Sequence, residues 1–230
     1  MRKIKESIKL IIHRPKLALD FDYEKYWVDK RGDAMGAITP FQQNRANAVL
    51  SLLGGDGRVL DIGSGDGGII NYLRARSELV ITASDISELA LQKLRSLNFD
   101  VLSLDVENIP EDLIRQSDFK YIFAFEVLEH VKDSETLLST LCDLSETVIF
   151  SIPNTGYFAH RLRLLFGKFP LQWRLSPSEH LRFWTLSDLK WWLESLGYKD
   201  AVILTYEGIP FLNKLFPSLF SMGIVAKVSK

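Results

Sequence analysis

The sequence predicts an α/β fold built on a doubly wound, mostly parallel sheet. Three observations lead to this prediction. Short apolar segments alternate with helical patterns over residues 58–152, a glycine-rich loop joins the first of these segments to the first helix, and acidic residues follow the segments. Such alternation favours a parallel sheet covered on both faces, and right-handed crossovers then wind the chain in both directions.

The elements follow one another at short intervals after a helix over 41–53, which ends at Gly54 and Gly55. Ser87 is a good N-cap for one of the helices, and Pro153 ends the fifth strand. The pattern predicts strands at 58–62, 79–84, 101–104, 120–125 and 147–152, with helices at 67–76, 87–97 and 133–144.

Residues 153–184 interrupt this rhythm with glycine, proline and many aromatic side chains, which indicates an insertion over the active edge of the sheet. A helix at 185–196 and strands at 200–206 and 222–229 follow. No crossover helix is evident between these two strands, so an antiparallel end is expected. We predict a single domain over 1–230, in which 1–40 forms an N-terminal cap.

Composition places the chain among ordinary soluble proteins. Its 230 residues are 47% apolar and 25% charged, with a net charge of −1, so no global attraction to nucleic acid is expected. The single cysteine, Cys142, lies in an apolar helical pattern typical of a core thiol. The run Leu10–Ile12 is too short for a secretory signal, so a cytoplasmic location is predicted.

The strongest motif is the glycine loop in VLDIGSGDGG, residues 59–68. Gly63, Gly65 and Gly68 also satisfy the dinucleotide-binding pattern, and Asp85 lies twenty residues after Gly65. A pyrophosphate prefers a neutral or positive loop at a helix N-terminus, whereas this loop carries Asp61 and Asp66. The charge therefore favours a ligand that carries an ammonium and a sulfonium.

The segments VLDIGSGDGG, ASDIS, SLDVEN, FAFEVLEHVKD and SIPN, within residues 41–205, resemble the motif series of class I methyltransferases that use S-adenosylmethionine (SAM). The resemblance implies a Rossmann-like sheet of seven strands with an antiparallel last strand. It also implies a SAM site. The residues implied to bind SAM are Asp61, Gly63, Ser64, Gly65 and Gly67 at the methionine part, Asp85 at the ribose, Ile86, Asp105 and Val106 at the adenine, Glu126 near the sulfonium, and Tyr26 in the cap.

Two segments resemble narrower groups of that superfamily. FSIPNTGYFAHRLRLLFGKFP is similar to the methionine-biosynthesis protein W and type 11–12 methyltransferase groups. SEHLRFWT is similar to small-molecule and glycan methyltransferases. The function implied is methyl transfer to a small-molecule or saccharide acceptor, at oxygen. A SAM-binding regulatory partner of another enzyme and an NAD-dependent oxidoreductase are the alternatives.

Two histidines are the candidate catalytic residues. His130 follows the fourth strand and His180 lies in the insertion, and either can act as the base that a hydroxyl acceptor needs. No metal is predicted, but Glu126, Glu129 and His130 form an E-x-x-E-H segment similar to those that bind a divalent cation in some O-methyltransferases. In that alternative His180 or water completes the ligand shell.

Residues 2–16 and 157–174 both mix basic with apolar side chains. Such mixtures occur on helices that lie on anionic membrane surfaces. They also occur in lids that bind an anionic substrate, and in amphipathic helices that simply pack on their own domain. Peripheral membrane contact is therefore one of three interpretations, and no nucleic-acid partner is expected.

Overall fold

The structure is a computed structural model, and it describes residues 2–13, 32–116, 118–172 and 179–229. Within these ranges seven strands form one sheet. The strands are β1 (Gly57–Ile62), β2 (Leu79–Asp85), β3 (Asp100–Ser103), β4 (Phe119–Phe125), β5 (Ser145–Pro153), β6 (Val202–Gly208) and β7 (Ser221–Ser229). Each predicted strand is confirmed to within two residues at either end.

The helices of the described ranges cover both faces of the sheet. They are α1 (Arg2–Ile12), α2 (Pro40–Leu52), α3 (Gly68–Arg74), α4 (Glu88–Ser96), α5 (Glu111–Arg115), α6 (Ser134–Leu144), α7 (Phe158–Leu165), α8 (Leu186–Ser195), α9 (Leu212–Leu215) and α10 (Pro217–Phe220), with short 3-10 turns at Gly32–Ala34 and Leu128–His130. The N-cap role of Ser87 is confirmed, since its side chain accepts a hydrogen bond from the amide of Ala90.

The strands are arranged in the order β3-β2-β1-β4-β5-β7-β6. The first five strands of the chain are parallel, and β7 runs antiparallel to both of its neighbours. From β1 the chain adds β2 and β3 on one side, and it then returns to add β4 and β5 on the other side of β1. A crevice therefore opens at the carboxyl ends of β1 and β4, the usual place for a ligand in such sheets.

The predicted antiparallel end of the sheet is confirmed. Strand β7 lies between β5 and β6 rather than at the edge of the sheet. The two short helices α9 and α10 connect β6 to β7, and the sequence analysis did not predict them. Nor did it predict α5, a five-residue helix before β4.

The core has two halves because successive strand residues point to opposite faces of the sheet. One half contains Leu60, Ile122 and Phe150 and packs under α6 and α8. The other contains Val59 and Phe123 and packs under α2 and α3. The predicted core thiol is confirmed, because Cys142 is buried in the first half.

The described part of the lead-in packs on the region predicted as an insertion. Helix α1 lies along α7, where the Ser7 and Tyr157 hydroxyls are 2.7 Å apart. A guanidinium nitrogen of Arg163 donates to three carbonyls at the end of α1, those of Leu10, Ile11 and His13. None of the helices in the described ranges is long and apolar enough to cross a membrane. The cytoplasmic location stays a prediction.

Candidate functional site

The glycine loop joins β1 to α3 in a conformation that requires glycine. Gly63, Gly65 and Gly67 have φ angles of 66°, 56° and 74°, in the left-handed region where other residues are strained. A Cβ atom on Gly63 would lie 2.9 Å from a methyl group of Val127, and one on Gly67 would lie 2.8 Å from Leu94. The loop is therefore pressed against the turn after β4 on one side and against α4 on the other.

Asp85 anchors this loop from the end of β2. One carboxylate oxygen accepts the amide of Gly65 at 2.8 Å, and the other accepts the amide of Ser87 at 2.9 Å. Its side chain is buried, whereas the next residue, Ile86, is 58% exposed. Ser64 also holds the end of β2, because its hydroxyl accepts a hydrogen bond from the amide of Ser84. Asp85 thus fixes the loop that the resemblance places around the cofactor, a role that the spacing alone did not indicate.

Asp61 is buried at the end of β1, and within the described residues its Oδ1 atom has no hydrogen-bond partner. Burial, opposed by a hydrogen bond from Ser64 and aided by the charge of Asp85, raises the pKa of the Asp61 carboxyl to about 7. A buried carboxylate that lacks a donor is costly. A ligand ammonium would satisfy it, so the cradle fits a cationic cofactor.

Two other acids have local partners of their own. Asp66 is buried and accepts the amide of Gly68 at 3.2 Å and that of Gly36 at 3.4 Å. Asp66 therefore satisfies the first amide of α3 from the residue that precedes the N-cap, Gly67. Asp105 accepts the amide of Glu107 at 2.9 Å, and its hydrogen bond from the Asn108 side chain lowers the pKa of its carboxyl. It forms a turn after β3.

Glu126 follows β4 and faces the crevice in an unusual conformation. Its φ angle is 57°, and such strain in a non-glycine residue is typical of functional sites. One carboxylate oxygen accepts from the hydroxyl of Ser151 at 3.0 Å, from the guanidinium of Arg45 at 3.1 Å and from the hydroxyl of Tyr206 at 3.4 Å. The turn after β4 is therefore held to β5, α2 and β6 at one carboxylate.

Arg45 and Tyr206 are members of this site that the sequence analysis missed. Arg45 is buried and also donates to the Tyr206 hydroxyl at 2.8 Å. Burial by itself would lower the pKa of Arg45, but the charges of Glu126 and Glu129 and the interactions with Tyr206 together outweigh it and raise that pKa. Burial also raises the pKa of Tyr206. A signal for Arg45 existed: it shares the buried face of α2 with Val49 and Leu52, where a charged residue needs a buried partner.

The structure brings His130 and His180 together beside the crevice. Their ring centroids are 4.7 Å apart in an edge-to-face arrangement. The carbonyl of Glu129 accepts the amides of Leu181 at 2.8 Å and of Arg182 at 3.2 Å, which ties the segment of His180 to the turn after β4. The Nδ1 atom of His130 is hydrogen-bonded to the carbonyl of Glu179. A carbonyl only accepts, so Nδ1 carries a proton, and Nε2 is the basic nitrogen of the ring in its neutral form.

The same turn contains a group of potential metal ligands. Within the described residues, Glu129, His130 and His180 each offer a ligand atom, and these atoms lie within 4.8 Å of one another. Glu126, which the sequence grouped with Glu129 and His130, is outside this group because its carboxylate is engaged by Arg45. The structure therefore groups His180, rather than Glu126, with Glu129 and His130, and metal binding itself stays a prediction.

The remaining residues singled out from the sequence lie in different surroundings, and one of them is outside the described ranges. Val106 follows Asp105 and is partly buried against the core. Tyr26, the predicted cofactor contact in the cap, lies outside the described residues. His160 is buried on α7, and this burial, together with the charge of Arg163, lowers its pKa to about 4. Such a histidine serves packing.

Comparison with known proteins identifies relatives over most of the chain. A sequence profile described as a methyltransferase domain matches residues 39–202. The chain is 25% identical over 206 residues to the ubiquinone biosynthesis O-methyltransferase of Shewanella sp. (strain ANA-3), a match that covers 84% of this chain and 86% of that protein.

Solved structures show the same fold. A SAM-dependent methyltransferase from Archaeoglobus fulgidus has a TM-score of 0.64 at 20% identity, covering 91% of this chain and 100% of that one. The N-terminal domain of EvdMO1, solved with S-adenosylhomocysteine (SAH) and D-fucose, has a TM-score of 0.58 at 17% identity, covering 99% and 96%. The seven-stranded Rossmann-like sheet is therefore that of known methyltransferases.

Proposed function

The chain belongs to the methyltransferase domain family and is a SAM-dependent methyltransferase, and we propose that it methylates an oxygen atom of a small-molecule or saccharide acceptor. Membership of this family excludes the NAD-dependent alternative. The methionine-biosynthesis protein W subgroup stays a prediction. One observation carries the proposal: His130 and His180 pack on each other at the turn after β4, and Val127 of the same turn contacts the acidic glycine cradle.

The cradle supplies the binding part of this function. SAM, when bound, supplies a methyl group that its sulfonium already activates. The Asp61 carboxylate would pair with the ammonium, and the loop of Gly63, Gly65 and Gly67 lets the ligand contact the main chain. Asp85 would hold the ribose while it keeps the loop in place, and the exposed Ile86 side chain offers an apolar face to the adenine.

The acceptor part of the function comes from the histidine pair. Methyl transfer to a hydroxyl requires removal of its proton, and the imidazole of His130 would accept that proton at Nε2. The Glu179 carbonyl maintains that tautomer, as an orienting partner does for catalytic imidazoles. His180 packs on the same ring and would orient either the base or the acceptor. Oxygen is also the acceptor atom named for the Shewanella relative, and the EvdMO1 domain was solved in the presence of a sugar, D-fucose.

A divalent cation is the second way in which these side chains can promote the reaction. One carboxylate and two imidazoles suit zinc, manganese or iron, and a bound cation would lower the pKa of an acceptor hydroxyl. The grouping of Glu129, His130 and His180 supports this alternative.

The experiment has a binding stage and a transfer stage. SAH and NAD are titrated into the protein by calorimetry, and SAH formation from SAM is then followed over a panel of hydroxylated small molecules and saccharides. We expect SAH alone to bind. With an active acceptor, His130→Gln should lower kcat by about 10²–10⁴-fold with SAH affinity unchanged, whereas His13→Gln, at an exposed histidine, should have no effect.

The outcomes separate the proposals. Loss of activity on chelation, restored by zinc, manganese or iron, supports the cation, whereas full activity in chelator supports the histidine base. If amines are methylated and hydroxyls are not, oxygen transfer is wrong. If His130→Gln retains full kcat in chelator, the assigned base is wrong.

A further inference from the structure

Exposed apolar side chains of the described residues concentrate on one region of the surface. Twelve of the seventeen large hydrophobic residues that are exposed lie on α1, on α7 with the segment after it, before α8, or around α9. They are Ile4, Ile8, Ile12, Leu164, Leu165, Phe166, Phe169, Leu181, Phe183, Phe211, Leu215 and Phe216. We call the part on α1 and residues 164–169 the α1–α7 surface. Single exposed hydrophobics are ordinary, but a concentration of this kind marks an interaction site.

Helix α1 shows why this surface is apolar. Its contact with the domain is made on the side of Ser7, which is buried. Ile4, Ile8 and Ile12 recur every fourth residue and therefore share a face beside that contact. Their exposed fractions are 48%, 51% and 64%. The apolar side of α1 is thus wider than its contact with α7, and the remainder faces solvent.

The surface continues from α1 across α7 towards the catalytic edge. Arg163 joins the two helix ends, and Leu165 and Phe166 follow it with 75% and 67% of their surfaces exposed. Phe169 then contacts the ring of Phe183 at 5.4 Å between centroids, and Phe183 is 6.4 Å from the ring of His180. One end of the α1–α7 surface therefore lies beside the histidine pair.

Charge distinguishes this region from the rest of the molecule. Residues 2–13, 158–172 and 209–220 contain eight lysines and arginines and one acid, Glu6. The whole chain has 28 basic and 29 acidic residues, so the remainder has twenty basic and twenty-eight acidic residues. Glu6 is itself 3.6 Å from the ammonium of Lys3. Lys3 also pairs with the buried Glu207, and Arg163 is itself buried, so not all of these cations face solvent. The apolar region is still positive on a protein that is otherwise negative.

The lysines of α1 are placed beside the isoleucine row. Lys5 and Lys9 are exposed, and each precedes an isoleucine of the row by three residues, which makes them neighbours on the helix surface. Lysine stems can lie along an apolar surface while their ammonium groups reach anionic headgroups. A helix with an apolar face bordered by lysine is typical of proteins that lie in the membrane interface.

From these observations we propose that the α1–α7 surface binds the surface of an anionic phospholipid bilayer. The isoleucine row, Leu165 and Phe166 enter the headgroup region, and Lys5 and Lys9 pair with lipid phosphates. Positive charge favours a lipid surface over a second copy of this chain, because two such faces would repel each other. The proposal does not rest on the acceptor, since membrane binding is measured without methyl transfer.

Flotation of the full chain with phospholipid vesicles tests this proposal. We expect the protein to float with phosphatidylcholine vesicles that contain phosphatidylglycerol, and not with phosphatidylcholine alone. Ile8→Asp and Leu165→Asp should each abolish flotation. Val80→Asp is the matched control, because Val80 is 61% exposed on β2, away from this surface, and should float normally. Replacing Lys5 and Lys9 with Gln should weaken binding by about fivefold for each lysine.

SAH binding and size measurement accompany each variant. Unchanged SAH affinity shows that a variant is folded, and it keeps this test separate from the methyltransferase function. The proposal is overturned if the wild type does not float with anionic vesicles, or if Val80→Asp loses flotation as Ile8→Asp does. It is also overturned if the wild type is a dimer that Ile8→Asp converts to a monomer, because a second copy would then cover the surface.

Discussion

Glu126 shows how one carboxylate organises the site at the scale of single residues. It is held in a left-handed conformation by partners from three other elements, and Arg45 supplies the compensating charge. The charge of Glu129 acts on the same guanidinium. Because one guanidinium faces two carboxylates, Glu126 has a compensating charge while the turn after β4 stays net negative, which suits a cationic cofactor. Arg45 therefore serves stability and positioning together.

Arg45→Met should destabilise the protein by about 3–5 kcal/mol, because it leaves Glu126 without its cation. Adding Glu126→Gln should recover part of the loss, since the orphaned charge is removed. Urea unfolding measures both variants. Arg58→Met is the control: its ion pair with Asp118 is exposed, and its loss should cost less than about 1 kcal/mol. Equal costs at the two arginines would contradict the buried network.

Asp61 gives a prediction about pH. Its folded pKa of about 7 exceeds the ordinary value of 3.8, so the ligand-free folded protein holds a proton that the unfolded chain loses. Stability from this proton is present at low pH and declines as pH rises from 3.8 through about 7. Binding of an ammonium favours the carboxylate and should expel the proton.

SAH titration at about pH 6, in two buffers that differ in ionisation enthalpy, should therefore show proton release by the wild type. Affinity should rise as the pH approaches about 7 and then level off. Asp61→Asn should bind more weakly and release no proton, whereas the exposed Asp118→Asn should behave as wild type. Equal proton release by Asp61→Asn would remove Asp61 from the ammonium site.

At the scale of elements, the glycine loop is positioned by its neighbours as much as by its own sequence. Asp85 at the end of β2 holds the amide of Gly65, and Val127 after β4 limits the space beside Gly63. Neighbouring strands therefore define both walls of the cradle. A change in the loop should therefore displace Val127, which lies three residues before His130 in the chain.

Gly63→Ala tests this coupling against a matched glycine. Gly63 and Gly167 have φ angles of 66° and 68°, so alanine should cost about 1–2 kcal/mol of stability at either position. Only at Gly63 does the new Cβ meet another side chain, at 2.9 Å. Calorimetry should therefore show SAH affinity reduced about tenfold or more in Gly63→Ala and unchanged in Gly167→Ala. Equal SAH affinity in the two variants would contradict the tight wall.

At the scale of the whole molecule, the strand order separates two kinds of surface. The reversal between β1 and β4 collects the acidic strand ends at one crevice. The elements that follow β5, together with α1, carry the positive and apolar surface instead. The segment that contains His180 lies next to both the crevice and this surface. Its backbone amides donate to the carbonyl of Glu129 beside the crevice, and its Phe183 ring contacts Phe169 of the apolar surface. An acceptor would thus approach the crevice between a negative and a positive region.

The sequence by itself determined the strand and helix series over residues 58–152, the glycine cradle and its acidic character. These properties are local: apolar periodicity sets the elements, and a tight turn requires glycine at Gly63, Gly65 and Gly67. The position of His130 after β4 also follows directly from the chain. The antiparallel end could be anticipated because no crossover helix separates the last two strands.

Only the tertiary structure decided which distant side chains meet. Arg45 and Tyr206 reach Glu126 from α2 and β6, across sequence separations that no local pattern encodes. The same holds for the pairing of His180 with His130 and for the group of potential metal ligands, which contains His180 instead of Glu126. It also holds for the insertion of β7 between β5 and β6. Each depends on packing between elements, because buried charges and strand edges select their partners only in the folded state.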